Sequence, residues 1–185
     1  LAASFTWWLA WIYWLADRYD EAEREALKAL ELNPDGAGAH AVLSLSYLTR
    51  NRLDEALEQA RNAAEKGPSG WSPILGYVLV KAGQLEEARA LLEELVSAPE
   101  GRINRIRLVW FQAAFGDLDG AIATLENCFE TRHGGMPWLG SWTDGGDLAG
   151  DPRSLDLLDR LDRVGGKGSG AEGDSCGWAG VGVVW

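Results

Sequence analysis

Residues 6–34 read TWWLAWIYWLADRYDEAEREALKALELNP, and residues 40–68 read HAVLSLSYLTRNRLDEALEQARNAAEKGP. The two stretches repeat one another after 34 residues: each has a leucine, an alanine thirteen residues later, and a proline at its end. A chain built from copies of one unit folds as an array, and an array presents a surface more often than an enclosed active site. This repeat decides the fold.

The register continues through two further units. The alanines recur at intervals of 34, 32 and 33 residues, at Ala22, Ala56, Ala88 and Ala121. Thirteen residues before them stand Leu9, Leu43, Leu75 and Leu108. Each unit is predicted to form a hairpin of two helices. One such hairpin cannot bury its apolar face alone, so it must stack on its neighbours.

In the first unit, we expect the first helix to end near Ala16 and residues 17–20 to form a turn that caps the second helix, with Asp20 and Glu21 favourable at its positive end. The second helix ends before Pro34, because a residue that precedes proline resists the α conformation. The third and fourth units have their turns at Gly83–Gln84 and Gly116–Asp117. Small residues beside the leucines, such as Gly76, are expected to let the two helices of a hairpin approach closely.

This pattern resembles the tetratricopeptide repeat (TPR). The first two units carry it at Leu9, Ala10, Tyr13, Ala22, Ala29 and Pro34, and at Leu43, Ser44, Tyr47, Ala56, Ala63 and Pro68. Two more degenerate units follow. The resemblance implies an all-α, right-handed superhelical solenoid over residues 1–133, with four helical hairpins at about residues 3–34, 37–68, 70–99 and 102–133.

Residues 134–164 are predicted to form a loop and a C-terminal capping helix. Asp151–Pro152 is a helix start, with aspartate as the cap and proline at the first helical position. An apolar stripe follows at Leu155, Leu158, Leu161 and Val164. The tail, residues 165–185, is rich in glycine and is predicted to be flexible.

The order of these parts resembles the C-terminal TPR regions of bacterial multidomain regulators, which include adenylate cyclases, winged-helix regulators and Ser/Thr kinases. The residues that carry this second resemblance are Pro137–Trp138, Asp151–Arg153, Leu157–Leu158 and Leu161. Between them, residues 140–150 are rich in glycine, where such regions usually carry a bulky apolar segment. The chain starts without methionine in helix-like sequence, which suggests a fragment of a longer protein.

Charge and cysteine content limit the classes of partner and the cellular location that we expect. The net charge of −11 opposes binding to nucleic acid and to anionic membrane. The uncharged run at residues 1–16 is shorter than a membrane span. A truncated membrane-spanning helix is an alternative interpretation, but the repeat register runs through this segment and favours a soluble helix. Cys128 and Cys176 belong to no metal-ligand cluster or disulfide framework, which fits a cytoplasmic location.

No motif predicts catalysis, a metal or a cofactor. Residues 168–173 match GxGxxG literally, but no strand precedes them and no helix follows. Asp144, Asp147 and Asp151 lack the spacing of a calcium loop. His40 and His133 have no nucleophile in a recognisable arrangement. The chain is therefore predicted not to be an enzyme in its own right.

The first helix of each hairpin lines the concave groove in TPR arrays, which implies a groove that is apolar and aromatic. Its residues would be Trp7, Trp11, Trp14, Leu45, Leu48, Tyr77, Val80, Trp110 and Ala113. Tryptophan and tyrosine are enriched at binding hot spots. The alternative is that the N-terminal tryptophans pack on upstream helices. Arg102, Arg105 and Arg107 form a basic cluster, either a solvated face or a contact for an acidic partner.

The sequence therefore predicts a non-catalytic protein–protein interaction module that binds a protein or a peptide. An alternative is a structural spacer that docks intramolecularly on an upstream catalytic or DNA-binding domain.

Overall fold

The computed structural model describes residues 2–99, 102–131 and 147–165. Eight of its helices form four hairpins, each made of two helices joined by a short turn: α1 (Ala2–Leu15) with α2 (Tyr19–Leu32), α3 (Ala37–Thr49) with α4 (Leu53–Lys66), α5 (Pro68–Lys81) with α6 (Leu85–Val96), and α7 (Arg105–Phe115) with α8 (Leu118–Glu130). Within these ranges there is no strand, so the fold is an all-α solenoid of helical hairpins.

The hairpins stack through both of their helices. The second helix of one hairpin packs on the first helix of the next, α2 on α3 and α4 on α5. The first helices also contact one another in sequence, from α1 to α3 to α5 to α7. One core therefore runs through the stack.

The repeated alanines are the points of closest helix packing. Ala22, Ala56, Ala88 and Ala121 are all 0% exposed. A methyl group there lets the two helices of a hairpin approach, and a longer side chain would have to push them apart. The alanine period in the sequence is therefore a period of helix–helix contacts.

Gly76 has a different role from the one its position in the repeat predicts. A Cβ atom added there would collide with the ring of Phe111, which belongs to the next hairpin. The absent side chain thus makes room for α7 on α5, rather than for the partner helix of its own hairpin.

The four turns within the hairpins share one geometry. The residue in left-handed conformation is Asp17, Asn51, Gly83 or Gly116, with φ between 58° and 90°. The next residue's N–H donates to a carbonyl five residues back, as in Arg18 to Tyr13 (2.9 Å) and Asp117 to Gln112 (2.9 Å). These are the bonds of a Schellman helix end.

This turn corrects the expected helix cap. Helix α2 begins at Tyr19, its cap position is Arg18, and no side chain caps it. Asp20 and Glu21 lie in the first turn of α2, at its positive end, as expected. The expectation is therefore wrong about the cap and right about the acidic first turn.

The connection before the fourth hairpin is longer than the others. Residues 97–104 join α6 to α7, whereas Gly67 alone joins α4 to α5. Helix α7 packs on α5 and α8 and touches α6 little. Leu85 and Val96 of α6 are exposed.

At the C-terminal end, α9 (Asp147–Gly150) and α10 (Pro152–Gly165) pack on α8. Asp151 caps α10 as expected, because its Oδ1 accepts from the N–H of Arg153 at 2.8 Å. The expected apolar stripe is wrong at its first residue: Leu155 is exposed, whereas Leu157 is buried. Residues 132–146, which include the predicted loop, and the predicted flexible tail beyond residue 165 lie outside the described residues.

Candidate functional site

The candidate site is a cluster of aromatic rings that three first helices bring together. Trp7 and Trp11 come from α1, Trp71 from the first turn of α5, and Arg107 from the first turn of α7. We call these four residues the tryptophan cluster. It joins hairpins that are not neighbours along the chain.

The rings meet edge to face. Trp71 lies 5.8 Å from Trp7 and 6.1 Å from Trp11, measured between ring centroids, with interplanar angles of 85° and 65°. Trp7 also stacks on Trp8 at 4.6 Å, and Trp11 lies 5.6 Å from Trp14. Such pairs each stabilise by about 0.5–1.5 kcal/mol beyond the area that they bury. The cluster is therefore a built part of the fold.

Trp7 reaches this position because α3 has a glycine opposite it. A Cβ atom added to Gly38 would lie 2.7 Å from the indole of Trp7. The bare backbone of α3 thus forms the surface on which Trp7 rests.

Arg107 is the charged member of the cluster. Its guanidinium lies 3.7 Å from the ring centroid of Trp71 and 5.6 Å from that of Trp11. Its Nη1 donates to the carbonyl oxygen of Gly70 at 2.9 Å. Burial lowers the pKa of this guanidinium to about 10, because removal from water disfavours its charged form.

A pocket of about 210 Å³ opens beside the cluster. Its walls come from the indoles of Trp7 and Trp71, from Ala29 of α2, from the turn before α3 and from the first residues of α3. The lining residues of the last two are Asn33, Asp35, Gly36, Ala37, Gly38 and Ala39. Asp35 stands at this turn and pairs with Lys66 at 2.5 Å, and that ammonium lowers the pKa of the Asp35 carboxyl.

The predicted groove residues divide into two groups. Half-buried side chains, which keep some exposed surface, are Trp7, Trp14, Leu48, Val80 and Ala113. Buried side chains are Trp11, Leu45, Tyr77 and Trp110. Leu45 is only 1% exposed and leaves a partner nothing to contact, so its expected place on an open groove is corrected. A binding role for the others stays a prediction.

The three arginines of the predicted basic cluster have separate environments. Arg102 is exposed. Arg105 donates from Nη2 to the carbonyl oxygen of Ala98 at 3.2 Å. Arg107 alone enters the tryptophan cluster.

Sequence reasoning missed two residues of the site. Trp71 stands four residues before the repeated leucine of its unit, outside the positions that the repeat singles out. Gly38 was not distinguished from other glycines. The sequence feature that could have indicated Trp71 is a tryptophan near the start of the first helix of a hairpin.

The residues considered as candidates for catalysis or metal binding lie in environments typical of structural residues. His40 is buried and lies 2.7 Å from Oε1 of Gln59 and 3.0 Å from the carbonyl oxygen of Pro34. Burial raises the pKa of the Cys128 thiol to about 11, which keeps it protonated at neutral pH. Over the described ranges, no group of three His, Cys, Asp or Glu could hold a metal ion. His133, Asp144, Cys176 and residues 168–173 lie outside those ranges.

Among the described helices, none combines the length and the apolar character that a membrane crossing requires.

Comparison with solved structures finds helical repeat proteins. PilW, described as a widely conserved type IV pilus biogenesis factor, is 19% identical, with a TM-score of 0.52 over 88% of this chain and 77% of that chain. YrrB, described as a TPR protein with an unusual peptide-binding site, is 23% identical, with a TM-score of 0.44 over 84% of this chain and 82% of that chain. At these identities the likeness concerns the fold alone.

No curated protein matches the sequence significantly. Family models do match it: one described as a tetratricopeptide repeat matches residues 1–37 and 9–70, and a second of the same description matches residues 74–94. Residues 1–70 and 74–94, the part of the solenoid from α1 to α6, are therefore similar to tetratricopeptide repeats.

Proposed function

We propose that this chain is a non-catalytic protein-interaction module that binds a peptide segment of a partner protein beside the tryptophan cluster. The observation that carries the proposal is the pocket lined by Trp7 and Trp71. Solenoids of this kind use their extended surfaces for binding, so the fold class and the pocket point the same way.

The size of the pocket favours a side chain over a free small molecule. Sites for drug-sized ligands and cofactors measure about 300–1,000 Å³, and this pocket has about 210 Å³. One large apolar or aromatic side chain of a peptide would fill it. The rest of the peptide would then lie across the half-buried Trp14, Leu48 and Val80.

The two indole walls supply the binding energy in this proposal. Tryptophan is enriched among the few interface residues that dominate affinity. Trp7 and Trp71 hold one another edge to face, so their rings are ordered before a partner arrives. Ordered walls reduce the entropy lost on binding.

Peptide display tests this function. A random peptide library would be selected on the immobilised chain, and the dissociation constant of a selected peptide measured with each variant. We expect Trp71→Ala to weaken binding at least about 10-fold, and Leu27→Ala, which alters an exposed leucine of α2, to leave it unchanged. Circular dichroism checks that both variants stay helical. The proposal fails if no peptide is selected, or if Trp71→Ala binds like the parent chain.

The wider setting is part of the same proposal: a cytoplasmic location and a place as the C-terminal part of a bacterial multidomain regulator. Supporting it are the order of repeats followed by α10 and the segments Pro137–Trp138 and Asp151–Arg153.

A second function, a structural spacer, is supported by the outer face of α1. Trp8, Leu9 and Ile12 are 45%, 40% and 51% exposed there. Their equivalents 34 residues later, Val42, Leu43 and Ser46, are buried in α3, on which α2 packs. The register thus favours a helix of the α2 kind as the occupant, and we propose that an upstream domain of the same polypeptide would supply it.

Binding in trans tests the spacer. The polypeptide encoded immediately upstream of Leu1 should bind this chain, and Ile12→Glu should weaken that binding at least about 10-fold because it buries an unpaired charge. Glu at the exposed Leu85 is the matched control. Absence of binding, or equal effects of the two variants, rejects the spacer.

A further inference from the structure

Arg107 has surroundings that oppose its charge. It lies in the first turn of α7, where the N–H groups of the helix already present partial positive charge. Its side chain is half-buried, and its guanidinium lies over the ring of Trp71 and 5.6 Å from the ring centroid of Trp11. No ion pair joins it to a carboxylate in the described part of the chain, whereas the half-buried Arg50 pairs with Asp20 and Glu23.

The other charges near Arg107 do not balance it. Arg105 lies two residues before it in α7, and Arg102 stands before the helix. The contacts that hold Arg107 are the two rings, the carbonyl oxygen of Gly70 and the side chain of Asn104, which accepts from the Arg107 backbone N–H at 3.2 Å. A buried charge normally requires a partner of opposite sign. This site lacks one within the described residues.

The geometry leaves the guanidinium able to accept such a partner. A guanidinium has five N–H donors in one plane, and Gly70 uses one of them. The contact with the ring of Trp71 at 3.7 Å uses none of these donors. A planar carboxylate can then bind two donors at once, which is the arrangement that arginine favours.

We propose that Arg107 binds a carboxylate of an acidic side chain in the partner peptide, beside the anchor side chain that the neighbouring pocket takes. This rests on the proposed peptide-binding function and adds the chemistry of the peptide. Indole rings and one cation lie side by side here, so the preferred peptide has an aromatic or aliphatic residue close to Asp or Glu.

The net charge of −11 does not prevent this contact. Surface carboxylates further than about 8–10 Å are largely screened at physiological ionic strength, whereas a half-buried pair is screened much less. The approach of an acidic peptide is slowed by the overall charge, but its affinity depends on the local cation.

The experiment compares peptides selected by the parent chain and by Arg107→Gln. We expect Asp and Glu to be enriched at one position of the peptides from the parent chain, and this enrichment to vanish with Arg107→Gln. Arg61→Gln is the matched control, because Arg61 is an exposed arginine already paired with Glu87 at 2.6 Å. Its selected peptides should keep the acidic residue.

A double-mutant cycle then measures the contact directly. In the selected peptide, Glu→Gln should weaken binding to the parent chain about 10-fold and binding to Arg107→Gln less than about 2-fold. Arg107→Lys, which keeps the charge but loses the planar fork, should give an intermediate value and covers the case in which Arg107→Gln fails to fold.

The outcomes separate the two proposals. If the parent chain selects no peptide, peptide binding itself is rejected. If it selects peptides without acidic enrichment, or if Glu→Gln costs the same with every variant, the carboxylate contact is rejected and peptide binding stands. Arg107 is then a structural link among α1, α5 and α7.

Discussion

Helices α1 and α3 occupy the same place in successive hairpins, and yet their surroundings differ. Every residue of α3 from Gly38 to Tyr47 is buried. In α1, the equivalents of Val42, Leu43 and Ser46 are exposed. Helix α3 lies among α1, α2, α4 and α5, whereas α1 packs mainly on α2 and α3. The same pattern thus gives a core helix or a surface helix according to its place in the stack.

The largest test of this difference is the pair of leucines. Leu43→Ala should lower the free energy of unfolding by about 2–5 kcal/mol, because it leaves a cavity in the core. Leu9→Ala, at the equivalent position of α1, should cost less than about 1 kcal/mol. Urea denaturation followed by circular dichroism measures both. Equal costs would mean that α1 is covered in solution.

The contact between the two helices gives the next test. Gly38→Ala should cost about 1–3 kcal/mol, because its new methyl group meets the indole of Trp7. The steric cost of the methyl group should exceed the roughly 1 kcal/mol that alanine gains over glycine in a helix, so that the variant is less stable than the parent chain. Thermal denaturation of Gly38→Ala, Trp7→Leu and the double variant measures the coupling. A strictly additive pair would show that the two residues do not meet.

A third test extends the comparison to the last hairpin. Cys128 occupies the register position of Ala29 and Ala63, and all three are buried. Its thiol has a pKa near 11 when folded and 9.0 as its ordinary value. As the pH rises, the thiol of the unfolded chain therefore loses its proton before that of the folded chain. The contribution of the buried thiol to the free energy of unfolding is complete below pH 9 and is lost as the pH rises to 11.

Over that interval, the parent chain should lose about 2 kcal/mol more stability than Cys128→Ala, which has no thiol to titrate. Chemical denaturation at several pH values, with a reducing agent present, gives the difference between the two chains. Parallel curves above pH 9 would contradict the prediction.

The smallest effect concerns two serines of α3. Ser44 donates its hydroxyl to the carbonyl oxygen of Ala41 at 2.9 Å, whereas the buried Oγ of Ser46 has no hydrogen-bond partner in the described structure. Ser46→Ala should therefore stabilise the chain by about 1 kcal/mol, and Ser44→Ala should not. Urea midpoints of the two variants decide it, and a gain from Ser44→Ala alone would reverse the assignment.

The hairpins could be predicted from the sequence because the alanine period is itself a contact period. Ala22, Ala56, Ala88 and Ala121 are in phase in the sequence and fully buried in the structure. Finer positions depended on geometry that the pattern does not contain. The turn at residues 17–20 is expected to cap α2, but the left-handed Asp17 is followed by Arg18 at the cap position, and no side chain caps the helix.

The tryptophan cluster was harder to foresee because it joins α1 to α5 across an intervening hairpin. Whether Trp11 meets Trp71 depends on how sharply the stack curves, and the curvature arises from the sum of many small contacts. The same holds for Leu45, whose register position is that of a groove residue but whose neighbours cover it.

The shared turn of the four hairpins bears on the order in which the chain acquires its shape. Each turn closes through a hydrogen bond between residues five apart, such as Arg52 to Tyr47 at 3.0 Å. So short a loop loses little entropy on closing and needs no distant residue. During synthesis, a hairpin can bend as soon as it leaves the ribosome, while lasting burial awaits the next hairpin.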